Sequence, residues 1–298
     1  MSASNITKRA ISEELELLLG ESLSVLDHGF IRVIDYMGND AAIVQAARVS
    51  YGAGTKSISE DAGLINYLMM NAHTSPFEMC EIKVHVKLPI FVARQWIRHR
   101  AASVNEVSGR YSVLSKEFYL PNLVQLCYQS SHNKQGKGAE LSPEQKACVL
   151  DMLRTDAEQV FAHYTTLLAL QNTEQREQLT ESGLTRELAR INLPLSTYTE
   201  WYWKIDLHNL LHFLSLRASP HAQYEIRAYA EILFDIVKRW VPLTHAAFVN
   251  YRLEGGRFSK MALEVIRRLL AGVSVTQETS GLSKREWENL CRLLQIKI

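Results

Sequence analysis

The clearest pattern along the chain is an alternation at 81–88, where Glu81, Lys83, His85 and Lys87 interleave with Ile82, Val84, Val86 and Leu88. A period of two predicts a half-buried strand with one wet face. Two further segments are strand-like in their β-branched and aromatic content. One is Thr197–Ile205 (TYTEWYWKI); the other is Ser24–Tyr36, ended by Met37-Gly38-Asn39-Asp40. Elsewhere the apolar positions recur at helical spacing. They predict a short accessory helix within 1–20, with Ile11, Leu15, Leu18 and Leu19 on one face. A helix over 41–49 is capped by Asn39 or Asp40, and one over about 60–71 buries Leu64, Ile65, Leu68 and Met69. Pro89 is placed to open a helix that reaches Arg98, on which Arg94, Gln95 and Arg98 would share a face.

Further helices are predicted over about 143–170 and, after a break near Asn172, to Ser182-Gly183. A short one follows at RELARINL, capped by Thr185 and stopped by Pro194. Asp206 caps the next, LHNLLHFLSLR, and Pro220 opens another that runs to about Trp240. The tail from Lys260 carries two amphipathic helices around a polar link at 272–283. Pro76 predicts a turn at His73–Glu78, because it drives Ser75 out of helical geometry. The small residues after Arg100, with Gly109, predict a loop; 111–120 reads as extended and 129–142 as a polar surface loop. The sum is an α+β fold, mainly helical, with a small, largely antiparallel sheet. Its organisation is an N-terminal extension (1–22), a main domain (23–254) and a helical C-terminal extension (255–298).

Composition narrows the function. The 298 residues are 47% hydrophobic and 22% charged, as in an ordinary globular protein, with a net charge of +1. Near-neutrality gives no broad attraction to nucleic acid or membrane, so any anion site is local. No apolar run reaches the ~18 residues of a membrane span, and the first twenty residues lack the apolar core of a signal peptide. Cys80, Cys127, Cys148 and Cys291 are scattered with no CxxC, which fits a reducing cytoplasm. The apolar neighbours of Cys80 and Cys148 place both in the core. Neither a GxGxxG after a strand nor a P-loop is present. His208 and His212 have metal-ligand spacing, but Asn209 stands where a zinc-protease motif has its glutamate, so no metal is expected.

The chemistry concentrates at Arg98–Tyr111, RHRAASVNEVSGRY, where nine of fourteen side chains are charged or hydrogen-bonding. One reading is a structural knot of ion pairs, but Glu106 alone cannot neutralise Arg98, Arg100 and Arg110. A nucleic-acid patch is a second, and it wants more basic stretches with interleaved aromatics. The third is recognition of a small phosphorylated ligand, for which planar, multi-donor guanidinium groups are suited.

At these residues the chain resembles the flavin-dependent thymidylate synthases, whose RHRxxSxNExSxRY signature it matches at every fixed position. HTSPFE (73–78), PIFVARQW (89–96), RELARINLPL (186–195) and DLHNLLHFLSLRASPHAQYEIR (206–227) are similar to that family in the same order. The similarity spans about 24–252 and leaves both ends unmatched. It implies conversion of dUMP to dTMP, with methylenetetrahydrofolate as carbon donor and NADPH as reductant through bound FAD. It also implies a homotetramer with active sites shared between subunits. By resemblance dUMP is held by Gln95, Trp96, Ile97 and Arg98, by Glu106, Val107, Ser108, Gly109 and Arg110, and by Arg190 and Arg217. Arg217 is the implied catalytic residue, a fixed cation by the uracil ring. FAD contacts carry over to His73, Ser75, Arg98, His99, Arg100, Glu106, Asp206, Leu207, His208 and His212, with His73 beside flavin and folate. Asp206 and His212 stand where the family often has asparagine, and Asp206 is expected at ribose or adenine, or as a helix cap only. Since no cysteine lies in a matching motif and Ser108 has no obvious base, no covalent enzyme–nucleotide bond is expected; hydride comes from reduced flavin. A flavin-binding protein without catalysis and an RNA-binding protein using the arginine loop are the rival readings.

Overall fold

The computed structural model describes residues 9–49, 58–131, 136–168 and 183–296. The chain divides into two compact units, one up to His245 and one from Ala246. The first opens with a single helical turn, α1 (Glu13–Glu16), and a hairpin of β1 (Ser22–Val25) and β2 (Gly29–Met37). Two helices follow, α2 (Asp40–Arg48) and α3 (Ile58–Met70), then one turn, α4 (Ser75–Glu78), and strand β3 (Glu81–Pro89). Helix α5 (Ile90–Trp96) leads to β4 (Ser103–Glu106), and a small hairpin pairs β5 (Cys127–Gln129) with β6 (Lys137–Glu140). The long α6 (Pro143–Leu167) and short α7 (Arg186–Ala189) precede β7 (Tyr198–Asp206). Helices α8 (Leu207–Arg217) and α9 (Tyr224–Trp240) complete the unit, with α10 (Pro242–Phe248) starting at its end.

The main sheet has the order β1-β2-β3-β7-β4, antiparallel throughout. The alternation at 81–88 is observed as expected: Ile82, Val84, Val86 and Leu88 are buried, facing the same way as Trp201, Trp203 and Ile205 of β7. Helices cover that face, as an α+β layering requires. Trp96 meets Trp201 and Trp203 edge-on at 5.8 and 5.1 Å, and also packs on Phe213 and Tyr229. All five rings are essentially inaccessible to solvent.

Several local expectations change. The single strand at 24–36 is a hairpin, turning at Leu26 with φ 58°. Ile34 is an extra residue between Val33 and Asp35, so burial switches from odd to even positions along β2. Of the segment 1–20, residues 1–8 lie outside the described residues; in the rest the helix is the single turn α1, whose Leu15 is buried and whose Glu16 accepts from the Tyr36 hydroxyl at 2.5 Å. Pro76 does not exclude a helix: it lies in the first turn of α4, where its missing N–H would have had no partner. Pro89 ends β3 and caps α5 rather than opening it, and α5 stops at Trp96, leaving Arg98 beyond the helix. The loop expected after Arg100 contains β4, held to β7 with Ser103 opposite Lys204. The extended segment at 111–120 is mostly irregular, with one bridge from Phe118 to Thr197. The polar loop at 129–142 contains β6, and α9 starts at Tyr224, not Pro220. The break near Asn172 and the helix after it fall outside the described residues.

Asn39 caps α2, accepting from the Ala42 N–H at 3.1 Å. The adjacent Asp40 serves α10 instead, accepting from Leu243 N–H, Thr244 N–H and the Thr244 hydroxyl. Burial raises this carboxyl's pKa against those bonds. In the second unit α11 (Lys260–Leu270) and α13 (Lys284–Leu294) enclose a small core of Ala262, Val265, Leu282 and Leu290. A further turn, α12 (Gln277–Ser280), falls within the link expected there.

Trp96→Ala removes the ring at the centre of the aromatic cluster. It is expected to lower stability by about 3–5 kcal/mol, read as a lower urea midpoint with little change in m-value.

Candidate active site

The signature segment begins where α5 ends. The Ile97 N–H closes the helix on Ala93 O, the His99 N–H donates to Trp96 O at 3.0 Å, and the chain leaves toward β4. Trp96 itself is in the core. Arg98 and Arg100 are exposed and make no side-chain hydrogen bond or ion pair among the described residues. His99 turns inward, its ring edge-on to Phe213 at 4.8 Å and 6.0 Å from the ring of His212. It meets Arg217, the last residue of α8, whose Nε donates to His99 Nε2 at 3.1 Å. A cation is favourably placed at a helix C-terminus. Partial burial lowers the arginine's pKa, and no carboxylate among the described residues pairs with it.

Arg217 lines a cavity of about 800 Å³ together with Gln95, His221, Gln223, Tyr224 and Glu225 on one side and Gln125 and Lys137 of the β5–β6 hairpin region on the other. The Gln95 amide donates to Gln223 Oε1. Glu225 is nearly buried and accepts from the Tyr119 hydroxyl at 3.2 Å. Among the described residues Lys137 bonds the neutral Gln125 side chain and lies over the Tyr224 ring. The balance favours an anion.

The second half of the signature builds a different wall. Glu106 does not answer an arginine; its Oε1 accepts from the Thr199 hydroxyl at 2.7 Å. With Val107 it borders a recess of about 430 Å³ on the sheet. Ser108 Oγ accepts from the Arg110 N–H at 3.3 Å, and no general base lies within hydrogen-bond reach of it among the described residues. At Gly109 a Cβ would stand 3.0 Å from Arg190 Cδ and Nη1, so any larger residue would push the Arg190 side chain back from the loop. Arg110 is neutralised by Glu187 of α7 at 2.7 Å, a partner within RELARINL that the sequence reading passed over.

His73 and Ser75 line a third recess, about 890 Å³ and largely apolar, with Ala42, Ala46, Leu68 and Met79. At the start of α8, Asp206 is the helix cap: its two oxygens accept from the Asn209 N–H at 2.9 Å and side-chain amide at 2.7 Å. Leu207 is buried and its N–H donates to Cys80 O; His208 and His212 lie on the outer side of the helix. The three recesses share no lining residue. None of the four cysteines lines any of them. Cys80 is buried, its thiol pushed up to about 12 by burial and then by Asp40, whereas Cys148 is exposed on α6, contrary to the core placement expected. Sequence reasoning also missed His221, Gln223 and Lys137. The first two sit in the matched 206–227 block, and the third in the segment read as a surface loop.

Residues 32–243 match the family profile described as thymidylate synthase complementing protein. A flavin-dependent thymidylate synthase from Rickettsia bellii is 58% identical over 295 residues, covering 98% of this chain and 99% of that one. One from Gluconobacter oxydans is 60% identical over 289 residues, 97% and 92% of the two chains. These alignments take in both ends left unmatched by the motif comparison. Among solved structures, the UMP/dUMP methylase PolB from Streptomyces cacaoi, bound with 5-Br UMP, superposes with a TM-score of 0.67 at 32% identity. It covers 77% of this chain and 98% of its own.

His99 makes a pH prediction. Burial, then the nearby Arg217 and His212, lower its pKa from the usual 6.5 to about 4. Between those values the unfolded chain carries a proton that the folded one does not, so stability falls as pH falls through that window. The thermal midpoint is expected to drop less between pH 7 and pH 4.5 in His99→Gln than in the unsubstituted protein.

Proposed function

Because the chain belongs to the flavin-dependent thymidylate synthase family, we propose that it methylates dUMP to dTMP reductively. The carbon donor is 5,10-methylenetetrahydrofolate, and NADPH is the reductant through bound FAD. The observation that carries this reading is Arg217, without a carboxylate partner among the described residues, in a cavity lined also by the motif residues Gln95, His221 and Gln223; Arg98, Arg100 and Arg190 likewise make no ion pair among the described residues. Such cations suit a nucleotide phosphate and a cofactor pyrophosphate together.

The residues present fit a flavin. The apolar recess beside His73 and Ser75 suits an aromatic ring system, and Arg98, His99, Arg100 and Glu106 supply donors and an acceptor near the phosphates and sugar. Around α8, the turn Asp206–His208 and His212 complete the set, with Asp206 itself occupied as a cap. When bound, the flavin supplies the reducing hydride. The chain's own work is binding and polarisation. Gln95, Trp96, Ile97 and Arg98 form one edge of the dUMP site, with Trp96 acting from the core as its support. Within Glu106–Arg110 the Ser108–Gly109 backbone is offered to the phosphate, Arg110 is held in place by Glu187, and Arg190, lying against Gly109, brings the cation. Arg217 faces the pyrimidine and stabilises negative charge on it.

Nothing in the recesses offers a cysteine thiolate, and Ser108 lacks a base to activate it, which supports chemistry without a covalent bond to the enzyme. The dispersal of the motif residues over three recesses of one protomer supports a homotetramer whose sites are completed between copies, and four scattered cysteines with no CxxC support work in the cytoplasm.

Purified protein is expected to be yellow and to form dTMP from dUMP, NADPH and methylenetetrahydrofolate. A colourless preparation that takes up no FAD overturns the proposal. Arg217→Ala is expected to lower kcat/KM by about 10²–10³, whereas Ser108→Ala retains turnover. Complete loss of turnover in Ser108→Ala with intact dUMP and FAD binding would restore serine as a nucleophile.

A further inference from the structure

We propose that His99 is a positioning residue for Arg217, accepting from its Nε so that the two terminal guanidinium nitrogens are presented to the pyrimidine. The role rests on the proposed reaction and goes beyond the assignment of His99 to the cofactor.

The geometry leaves one arrangement of protons. Arginine has donors only, so in the 3.1 Å contact His99 Nε2 must be the acceptor and Nδ1 must carry the hydrogen. A guanidinium is planar, and fixing the direction of its Nε–H fixes the plane in which its Nη groups point. The imidazole is itself held. Its backbone N–H is tied to Trp96 O at 3.0 Å, and its ring is edge-on to Phe213, which packs against Trp96 at 4.9 Å. The orientation of the arginine is therefore referred back to the aromatic core rather than to solvent.

The chemical identity of the acceptor matters. A carboxylate in this place would hold the arginine equally well but would cancel its charge, which the reaction needs at the ring. A neutral imidazole orients without neutralising. The charged groups acting on His99 are Arg217 and His212 of α8, and both oppose a proton on the ring. Its chain neighbours Arg98 and Arg100 are exposed and bring no negative charge to it. Burial acts in the same direction. With its pKa lowered to about 4, the ring is a neutral acceptor at neutral pH, with Nδ1–H as its remaining donor.

The test is a four-protein cycle of wild type, His99→Leu, Arg217→Ala and the double variant. Bound FAD per subunit is read from absorbance, and dUMP affinity of the FAD-loaded protein by calorimetry. Loss of the orienting bond is expected to raise the dUMP Kd about tenfold in His99→Leu, with no further loss when His99→Leu is added to Arg217→Ala. His99→Gln, whose amide oxygen can take the Nε hydrogen, is expected to stay within about threefold of wild type. Equal losses from His99→Leu with and without Arg217 overturn the role, as does wild-type affinity in His99→Leu. If His99→Leu does not retain FAD, His99→Gln decides: near-wild-type dUMP affinity supports the role and a tenfold loss overturns it. Wild-type protein that binds no dUMP sinks the proposed reaction and this role with it; tight wild-type binding with additive losses sinks only the role.

Discussion

The packing of Trp96 between the β7 tryptophans and the α8–α9 rings is the constraint on which the site depends. Trp96 is the last residue of α5, so burying it fixes where that helix stops and where Arg98-His99-Arg100 emerge. Phe213 and Tyr229, packed on the same ring, fix α8 and α9 against it. Arg217 lies one turn beyond Phe213 on α8. Two segments more than a hundred residues apart in sequence thus deliver a histidine and an arginine to one point. Large aromatic side chains suit this task, since each buries much area with few rotatable bonds.

Upon that frame the chain arranges cations with restraint. Buried or half-buried arginine is ordinarily paired with a carboxylate, as Arg48 is with Asp61 at 2.8 Å. Arg110 and Glu187 follow that habit on the surface, where such a pair contributes little to stability. Among the described residues Arg217 does not, and neither do Arg98, Arg100 or Arg190. Glu106, the one acid of the signature, is held by a threonine hydroxyl instead. The result is local positive potential in a chain with a net charge of +1, which attracts phosphorylated ligands without making the whole surface sticky for polyanions.

How much of this was legible in the sequence depends on range. β3 and β7 were readable because one face is wet and the residue types are strongly strand-forming, and Asp206 was readable as a cap because capping is a local event. β4 was not, because Ser103–Glu106 is an exposed edge whose only support is pairing to a strand about a hundred residues away. The bulge at Ile34 hid the parity switch in β2, and a hairpin turn without glycine at Leu26 hid the break before it. Pro76 misled because the rule against helix before proline weakens within a first turn. For the site, the signature residues stood out by charge, but their partners did not. Glu187, Thr199 and Gln223 meet them only through the fold.

The contact between Arg217 and His99 joins both levels. Position in sequence marked each residue as a ligand contact, and nothing in the spacing of 99 and 217 tied one to the other. Once they are side by side, the proton inventory of the two groups decides which accepts, and the absence of an acid in that contact decides that the cation stays a cation. An arrangement that merely filled space there would be indifferent to the difference between imidazole and carboxylate. One that must hold a guanidinium still while keeping its charge available for an electron-rich ring is not indifferent, because only a neutral acceptor meets both demands.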